Sequence, residues 1–419
     1  MGESPARYRD VFAVREYRHL FGANVLSLIG DQLTAIALAF TVFERSHSST
    51  LAAITFAVTY ATWIIGGPAL SVLADRFPRR TVMLTCDLAR AGLVLSLAVP
   101  GIPIPALLGV ALLTNMFRPP FQAARASLMP DLLDGDRYPV ANGLDNIVGE
   151  TTQVLGFAVG GILVAAASAR GVLLVDSATF VASALLIATG LRGTVASAPP
   201  AEAPSTSRLA DMAAGARVVF SDRRLRSYLL LFWFSCLVYG AEGVAAPLSK
   251  QYGGGAFTGG LILAAMPLGV AVGGVFLTRG CPPALRQRLT VPLAVVSCAA
   301  LVPVAAHPPL PVLLALLIAS GLAGAFSIPL NAIFGRAVPA AYRARAFGVA
   351  MSGVCAVQGL AMIGAGAAAE RLAPTTVVGG AGLLATLSVV AVAARWPRQP
   401  TDQHAPARPL RVAAQSSAA

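Results

Sequence analysis

Charged residues are scarce in this chain. Only 12% of its 419 residues are Asp, Glu, Lys or Arg, whereas 56% are hydrophobic and the mean hydropathy is +0.72. An ordinary soluble domain is about 25% charged, because charge has to cover its surface. The composition therefore excludes a cytosolic enzyme, a coiled coil and a disordered chain, and it predicts a polytopic membrane protein.

Several chemical signatures are also missing. The five cysteines are far apart and form no C-x-x-C pair, and the four histidines lie in predicted tails and loops, so we expect no disulfide framework and no metal site. The sequence contains no G-x-x-x-x-G-K-[ST] segment, which argues against direct ATP drive, and no serine in G-x-S-x-G. We therefore predict no catalytic residue and no cofactor. The net charge of +12 is assigned to one membrane face rather than to nucleic-acid binding.

Long apolar runs dominate what is present. A membrane-spanning helix needs about 20 mostly apolar residues, because each adds about 1.5 Å to a path of about 30 Å. An open sheet leaves backbone groups unsatisfied in lipid, and a barrel would show alternating strands of about 10 residues. The sequence therefore predicts an all-α protein with twelve spans, at 20–43, 51–74, 81–99, 105–126, 146–168, 171–190, 225–248, 257–278, 289–306, 310–335, 345–369 and 375–394.

The basic residues test this count independently. Twelve spans define thirteen tails and loops that alternate between the two membrane faces. Of the 31 basic residues, 25 fall on the face that carries both termini and four on the other face, while Arg90 and Arg118 lie within spans. Because positive charge stays on the cytoplasmic side, both termini are predicted to be cytoplasmic.

A polar segment divides the spans into two sets of six. It is rich in Ala, Pro and Ser and holds no apolar run, as expected of a cytoplasmic linker. The two sets repeat, because Pro120 and Pro329 open matching segments 209 residues apart, as in transporters built from parallel repeats. We predict a cytoplasmic N-tail at 1–19, a six-helix bundle at 20–192, a linker at 193–223, a second bundle at 224–395 and a C-tail at 396–419.

The segment after the second predicted span resembles the signature of the major facilitator superfamily. Residues 71–80 read Ser-Val-Leu-Ala-Asp-Arg-Phe-Pro-Arg-Arg, against G-x-L-A-D-R-x-G-R-R in the family. Ser71 and Pro78 stand where the family has glycines. Further similarity points to the branch that includes the enterobactin exporter and macrolide-efflux proteins, and is carried by residues 30–31, 130–133 and 156–161.

This resemblance implies two six-helix halves that rock about a central site and expose it to each side in turn. The branch similarity implies efflux of a small lipophilic compound, a drug or secondary metabolite, in exchange for protons. It also implies a multi-pass protein of the bacterial inner membrane that acts as a monomer, with the substrate, protons and the lipid bilayer as its partners.

The matching residues would form a cytoplasmic gating cluster that holds the halves together in one state. In the family this cluster joins the signature to the end of the fourth span, which here implies Asp75, Arg76, Arg79, Arg80 and Arg125. An anion there would also be favoured by the N-terminus of the eleventh span. The alternative is that these arginines only follow the positive-inside rule.

Ionisable residues inside the spans are the candidate site. Burying one costs at least about 2.5–3.5 kcal/mol on insertion scales, so each needs a partner or a function. Asp31 and Glu242 lie near the middle of the first and seventh spans, where removal from water favours the neutral carboxylic acid and allows proton exchange. Because spans one, four, seven and ten line the cavity in the family, Arg118, Gln122 and Asn331 complete the candidates for proton coupling or substrate contact. The alternative for each carboxylate is a structural hydrogen bond to a neighbouring helix.

Other residues receive structural roles. Asp87 and Arg90 are three residues apart and are expected to pair on one helix face. Glu150 and Asp176 lie nearer to span ends, where we expect capping or interface roles. Small residues let helix backbones approach closely in lipid, so we predict helix packing through Gly156, Gly160, Gly161, Gly269 and Gly273. The resemblance implies that their spans, five and eight, face each other across the two halves.

Two other functions remain open at this point. An importer or an uncoupled facilitator of the same fold would have a similar binding site. A membrane-embedded enzyme or receptor would need clustered catalytic side chains or a large extramembrane domain, and the sequence shows neither.

Overall fold

The chain is helical throughout its described part. A computed structural model describes residues 8–134, 137–191, 216–217, 219–339 and 342–395, without the side chains of residues 63–76, 146 and 344. Every regular element within these ranges is a helix, so the all-α prediction is confirmed. The predicted linker at 193–223 lies largely outside the described residues, and the C-tail at 396–419 lies wholly outside them.

Two groups of helices lie on either side of the linker. The N-terminal helices are α1 (Tyr8–Phe12), α2 (Arg15–Ser46), α3 (Ser49–Arg76), α4 (Arg79–Leu97), α5 (Ile104–Met116), α6 (Arg118–Leu132) and α7 (Arg137–Gly190). The C-terminal helices are α8 (Arg223–Ser235), α9 (Gly240–Gly243), α10 (Ala245–Gln251), α11 (Ala256–Gly280), α12 (Pro283–Ala299), α13 (Leu310–Gly324), α14 (Ser327–Ala337), α15 (Arg343–Ala369) and α16 (Pro374–Ala393). Short 3₁₀ helices occupy Cys236–Tyr239 and Val302–Ala306.

Many of these helices are long and apolar enough to cross a membrane. In the described residues, seven helices have the length and apolar composition that a membrane span needs. The number is eight if Arg223–Gly243 and Ala245–Gln251, which are bent by 53° relative to each other, form one span. A multi-pass membrane protein is therefore confirmed, while the count of twelve spans stays a prediction.

Several predicted spans are interrupted part-way. The chain leaves regular helix at Phe117, between α5 and α6, and again at Ala325 and Phe326, between α13 and α14. Phe117 and Phe326 are 209 residues apart, which is the offset of the sequence repeat. Ser168, with a φ of 66°, interrupts α7 at the boundary between two predicted spans.

The two ends of the bundle can be told apart by the chain termini. At the distal face, α2 ends and α3 begins, and Ser48 between them contacts Glu370 at the end of α15. Because α16 also begins there, the start of α2 and the end of α16 both lie at the opposite end. We call that end the terminal face.

The N-terminal and C-terminal helices pack closely in the distal half. A Cβ added at Gly161 of α7 would lie 2.7 Å from the carbonyl oxygen of Ala256 in α11, so only glycine allows this approach. Gly366 of α15 meets Ala53 of α3 in the same way, and Lys250 lies 5.7 Å from the ring of Phe43. These contacts close the distal face.

A carboxylate reinforces this closure. The Glu370 Oε1 accepts hydrogen bonds from the Thr50 N–H at 2.8 Å and the Ser48 hydroxyl at 2.7 Å. These bonds favour the charged form and hold the pKa of Glu370 below its ordinary value, with the Thr50 N–H as the larger cause. Since the pKa is lowered, the contact is fully present above the ordinary value of about 4.3 and is lost as pH falls through the lowered value.

We therefore expect the distal face to open when Glu370 is neutral. Spin labels at Arg45→Cys and Arg371→Cys, which are exposed on either side of this contact, would report the closed population by pulsed electron resonance distances. Glu370→Gln should lower the ratio of closed to open molecules about threefold, because an exposed contact of this kind is weak. Glu44→Gln is the matched control. Equal distance distributions in wild type and Glu370→Gln would contradict the proposal that the Glu370 hydrogen bonds keep the distal face closed.

Candidate functional site

A central cavity lies between the N-terminal and C-terminal helices. Its volume is about 350 Å³, and α2, α3, α6, α7, α9 and α15 contribute to its wall. The apolar part of the wall includes Phe56, Phe157 and Met351. Its polar side chains include Asp31, Gln32, Thr59, Tyr60, Arg118, Thr152, Gln153, Glu242 and Gln358. Three of the five sequence-predicted cavity residues, Asp31, Glu242 and Arg118, are thus brought together.

Asp31 is held by two arginines. Its Oδ1 accepts a hydrogen bond from Arg90 of α4, and its Oδ2 lies 3.3 Å from Nε of Arg118 at the start of α6. Arg90 is 1% exposed, donates to the Ser27 hydroxyl at 2.8 Å and stacks 4.1 Å above the Phe180 ring. Two positive charges therefore lie against this carboxylate.

Two further carboxylates are buried among the N-terminal helices. Asp176 is fully buried and accepts a hydrogen bond from Thr34 of α2, which agrees with the expected interface role. Asp87 accepts a hydrogen bond from Ser183 at 2.5 Å. The predicted Asp87–Arg90 pair is therefore wrong. Arg90 turns to Asp31 on α2 instead, because the carboxylate on the adjacent helix lies within reach of the long guanidinium.

Glu242 faces the same cavity from the other side. It lies in α9, is 5% exposed, and its Oε1 is buried without a hydrogen-bond partner among the described residues. The local backbone is irregular, since a 3₁₀ helix precedes α9 and the chain bends by 53° after it. Irregular backbone at membrane depth is tolerated where it is enclosed by protein or lines a cavity, and in transporters it often marks the binding site.

The remaining two candidates lie elsewhere. The Gln122 amide donates to Asn24 Oδ1 at 3.2 Å, which joins α6 to α2, and Gln122 is absent from the described lining of the cavity. Asn331 lines a second cavity enclosed mainly by C-terminal helices. Both residues follow a helix break at equivalent positions of the repeat, but neither lies in the described lining of the central cavity with Asp31.

Three of the predicted gating residues, Arg79, Arg80 and Arg125, have partners at the terminal face. Arg79 forms an ion pair with Asp131 at the end of α6, and Arg80 donates to the Ala188 carbonyl at 2.6 Å. Arg125 pairs with Asp145 of α7 at 2.5 Å. The side chains of Asp75 and Arg76 lie outside the described residues, so the pairing of Asp75 with Arg125 stays a prediction.

The glycines pack differently from the prediction. Gly161 does meet α11, where it contacts Gly260. Gly156 and Gly160 instead face Gln32 and Ile36 of α2, and Gly269 and Gly273 face α13 within the C-terminal helices. The expected packing of these four glycines across the two groups is therefore wrong. Each small-residue face matches a close helix neighbour, and the sequence does not reveal which neighbour that is.

Sequence reasoning also missed several functional candidates. Tyr60 and Gln358 line the cavity, Asn24 binds Gln122, and Asp131 and Asp145 pair with the terminal-face arginines. Gln358 is the one that hydropathy could have found, because it interrupts the apolar eleventh span. The two aspartates lie near span ends, where acidic residues are ordinary.

The fold and the cavity define a class of protein, a multi-pass helical membrane transporter with a polar site between two groups of helices. The chain belongs to the Major Facilitator Superfamily, because the model of that family matches residues 20–305. The resemblance drawn from residues 71–80 is thereby confirmed. The protein is accordingly a transporter and not an enzyme.

Curated relatives support the same family. The chain is 30% identical over 185 residues to the uncharacterized MFS-type transporter YkuC of Bacillus subtilis strain 168, which covers 42% of each chain. It is 24% identical over 269 residues to the enterobactin exporter EntS of Shigella boydii serotype 4, which covers 63% of each chain. These alignments span less than two thirds of either relative.

Solved structures share the fold. A POT family transporter in complex with a thioalcohol conjugated peptide matches with a TM-score of 0.71 at 12% identity, over 90% of this chain and 95% of that one. The nucleoside transporter NupG matches with a TM-score of 0.68 at 14% identity, over 91% of this chain and 100% of that one. At this identity the likeness concerns the fold alone.

Proposed function

We propose that this protein is a secondary active transporter that moves a small lipophilic compound out of the cell in exchange for protons. It has twelve spans in two six-helix repeats, lies in the bacterial inner membrane and keeps both termini in the cytoplasm. The matching breaks at Phe117 and Phe326 support the repeat, and the arginine distribution supports the orientation.

The observation that carries the proposal is the contrast between two buried carboxylates at one cavity. Asp31 lies in ion pairs with two arginines, whereas the Oε1 of Glu242 has no hydrogen-bond partner in the part of the chain that the structure describes. A carboxylate in such surroundings is easily protonated, because burial disfavours its charged form. Glu242 is therefore the proton carrier of the central cavity.

The packing of the helices supports alternating access. The distal face is closed by Gly161, Gly366 and Glu370, and by the arginine distribution that face is the outer one. This arrangement corresponds to a state that receives substrate from the cytoplasm. Separation of the distal contacts would open the same cavity outward.

The proposed direction of transport, out of the cell, depends on the similarity to one relative. The name of EntS describes an exporter, and this relative is aligned over 269 residues, which favours efflux. The POT and NupG structures share only the fold, so their peptide and nucleoside ligands do not bear on the substrate. Import and uncoupled diffusion are the alternatives that an experiment has to separate.

Reconstitution of the full chain tests the proposal. Inside-out vesicles that carry the protein and an acidic lumen are exposed to a panel of lipophilic amines and neutral macrolides, while luminal pH is followed with pyranine. An antiporter releases protons as a compound enters the lumen, and a pH step of one unit supports an accumulation of about tenfold per proton. Entry of every accepted compound without proton release would refute the proposed exchange.

A further inference from the structure

A second cavity lies beside the central one, mainly among the C-terminal helices. We call it the side chamber. It has a volume of about 190 Å³ and is lined by the 3₁₀ segment at 236–239, by the break between α13 and α14, and by neighbouring residues of α8, α11, α12 and α15. Irregular stretches of two chain segments thus meet at one cavity, as in the ligand sites of transporters with discontinuous helices.

Three serines in the wall of the side chamber offer hydrogen-bond acceptors. Ser297 and Ser320 each donate their hydroxyl proton to the other's carbonyl oxygen, at 2.8 and 2.7 Å, and Ser235 donates to the Phe232 carbonyl at 2.7 Å. A serine that has used its one proton can only accept further hydrogen bonds. A ligand that brings several N–H donors therefore suits these walls better than an anion or a carbonyl compound.

The charge of the side chamber also favours a cationic ligand. Glu150 of α7 is the only charged residue in its described lining, where Tyr239, Asn331 and Gln358 supply neutral polar groups. No described residue of the lining is basic. A carboxylate in a confined apolar setting is a strong partner for a cation, because charge-assisted hydrogen bonds are about twice as strong as neutral ones.

The side chamber and the central cavity are adjacent. Gln358 lines both of them, and α7 passes between them. On α7, Gly149, Thr152 and Gln153 face the central cavity, while Glu150 faces the side chamber. The two neighbouring cavities thus offer apolar walls at Phe157 and Met351 and a carboxylate at Glu150.

We propose that the side chamber binds the protonated amine of a cationic amphipathic substrate, with Glu150 as its counter-ion. This inference rests on the proposed transport function and names the substrate class of that site. At about 30 Å³ for each water, the chamber holds roughly six waters or an ammonium group with a few of them. At the central cavity Arg118 lies in an ion pair with Asp31, which weakens its repulsion of such a ligand.

A matched pair of fluorescent probes tests this proposal on the full chain in nanodiscs. Dansylcadaverine carries a protonated primary amine, and its N-acetyl derivative has nearly the same shape without the charge. Wild type should bind the amine at least about tenfold more tightly than the acetylated probe. Glu150→Gln should lower affinity for the amine about tenfold and change affinity for the acetylated probe less than about twofold. Glu16→Gln, in the first turn of α2, is the control.

A second variant, Asn331→Asp, tests the same assignment by a gain of amine binding instead of a loss. Asn331 lines the same chamber, so Asn331→Asp should strengthen binding of the amine and should restore it in the Glu150→Gln background. Equal effects of Glu150→Gln on both probes, or no gain from Asn331→Asp, would overturn the assignment. A protein that exchanges protons for neutral compounds and ignores the amine would also overturn it, while leaving the proposed antiport intact.

Discussion

Glu242→Gln is expected to abolish proton-driven accumulation while leaving substrate exchange intact. Glutamine has the shape of the protonated acid but cannot release a proton, so the variant binds substrate yet cannot use a pH gradient. With a pH gradient of one unit, wild type should accumulate substrate about tenfold per exchanged proton. The variant should show no accumulation above the outside concentration. Counterflow of labelled substrate against unlabelled substrate should change less than about twofold.

The control for this result is a carboxylate of the same type outside the cavity. Glu44→Gln, at the exposed end of α2, should accumulate substrate as wild type does. Full accumulation by Glu242→Gln would assign proton transfer to another group and remove the role proposed for the unpartnered carboxylate. Loss of both accumulation and counterflow would instead make Glu242 a substrate ligand without a distinct proton step.

Asp31→Asn is expected to destabilise the protein strongly rather than to uncouple it. The variant leaves the guanidinium groups of Arg90 and Arg118 side by side without the carboxylate that now separates them. Removal of one partner from a buried ion pair typically costs about 3–5 kcal/mol, because the remaining charge stays buried. Thermal unfolding in detergent, followed by the loss of monodisperse protein, should show a marked fall in midpoint.

Two further variants give this prediction its controls. Asp134→Asn removes an exposed carboxylate and should change stability by less than about 0.5 kcal/mol. Asp31→Asn combined with Arg118→Gln removes one charge of each sign and should cost less than the sum of the single changes, because the residues interact directly. If Asp31→Asn were as stable as wild type but unable to use a proton gradient, Asp31 would be the proton carrier.

Membrane insertion and the position of the buried charges could be predicted from the sequence. Each apolar window of about 20 residues partitions into lipid largely by its own composition, so helices and their approximate ends follow from local sequence. The same reasoning placed Asp31 and Glu242 at membrane depth, and the signature at 71–80 led to the family that the match over residues 20–305 confirms.

The partners of those charges could not be predicted. In a water-soluble helix, an apolar stripe shows which face is buried, but helices that are apolar all round carry little such signal. Asp31 therefore looked equivalent to Glu242, although Arg90 reaches Asp31 from 59 positions away along the chain. The same ambiguity produced the wrong Asp87–Arg90 pair and the wrong neighbours for Gly269 and Gly273.

Local composition thus decided that the chain forms apolar helices long enough to cross a membrane, and it predicts which face the arginines occupy and how deep the carboxylates lie, because lipid solvation acts on each segment separately. Tertiary structure decided which carboxylate lies in ion pairs with arginines and which, among the described residues, keeps an oxygen without a partner at the cavity. It also enclosed the side chamber, whose walls come from chain segments more than 200 residues apart, between Glu150 and Gln358. Those outcomes depend on which helices become neighbours, and that choice is made by packing of the whole bundle.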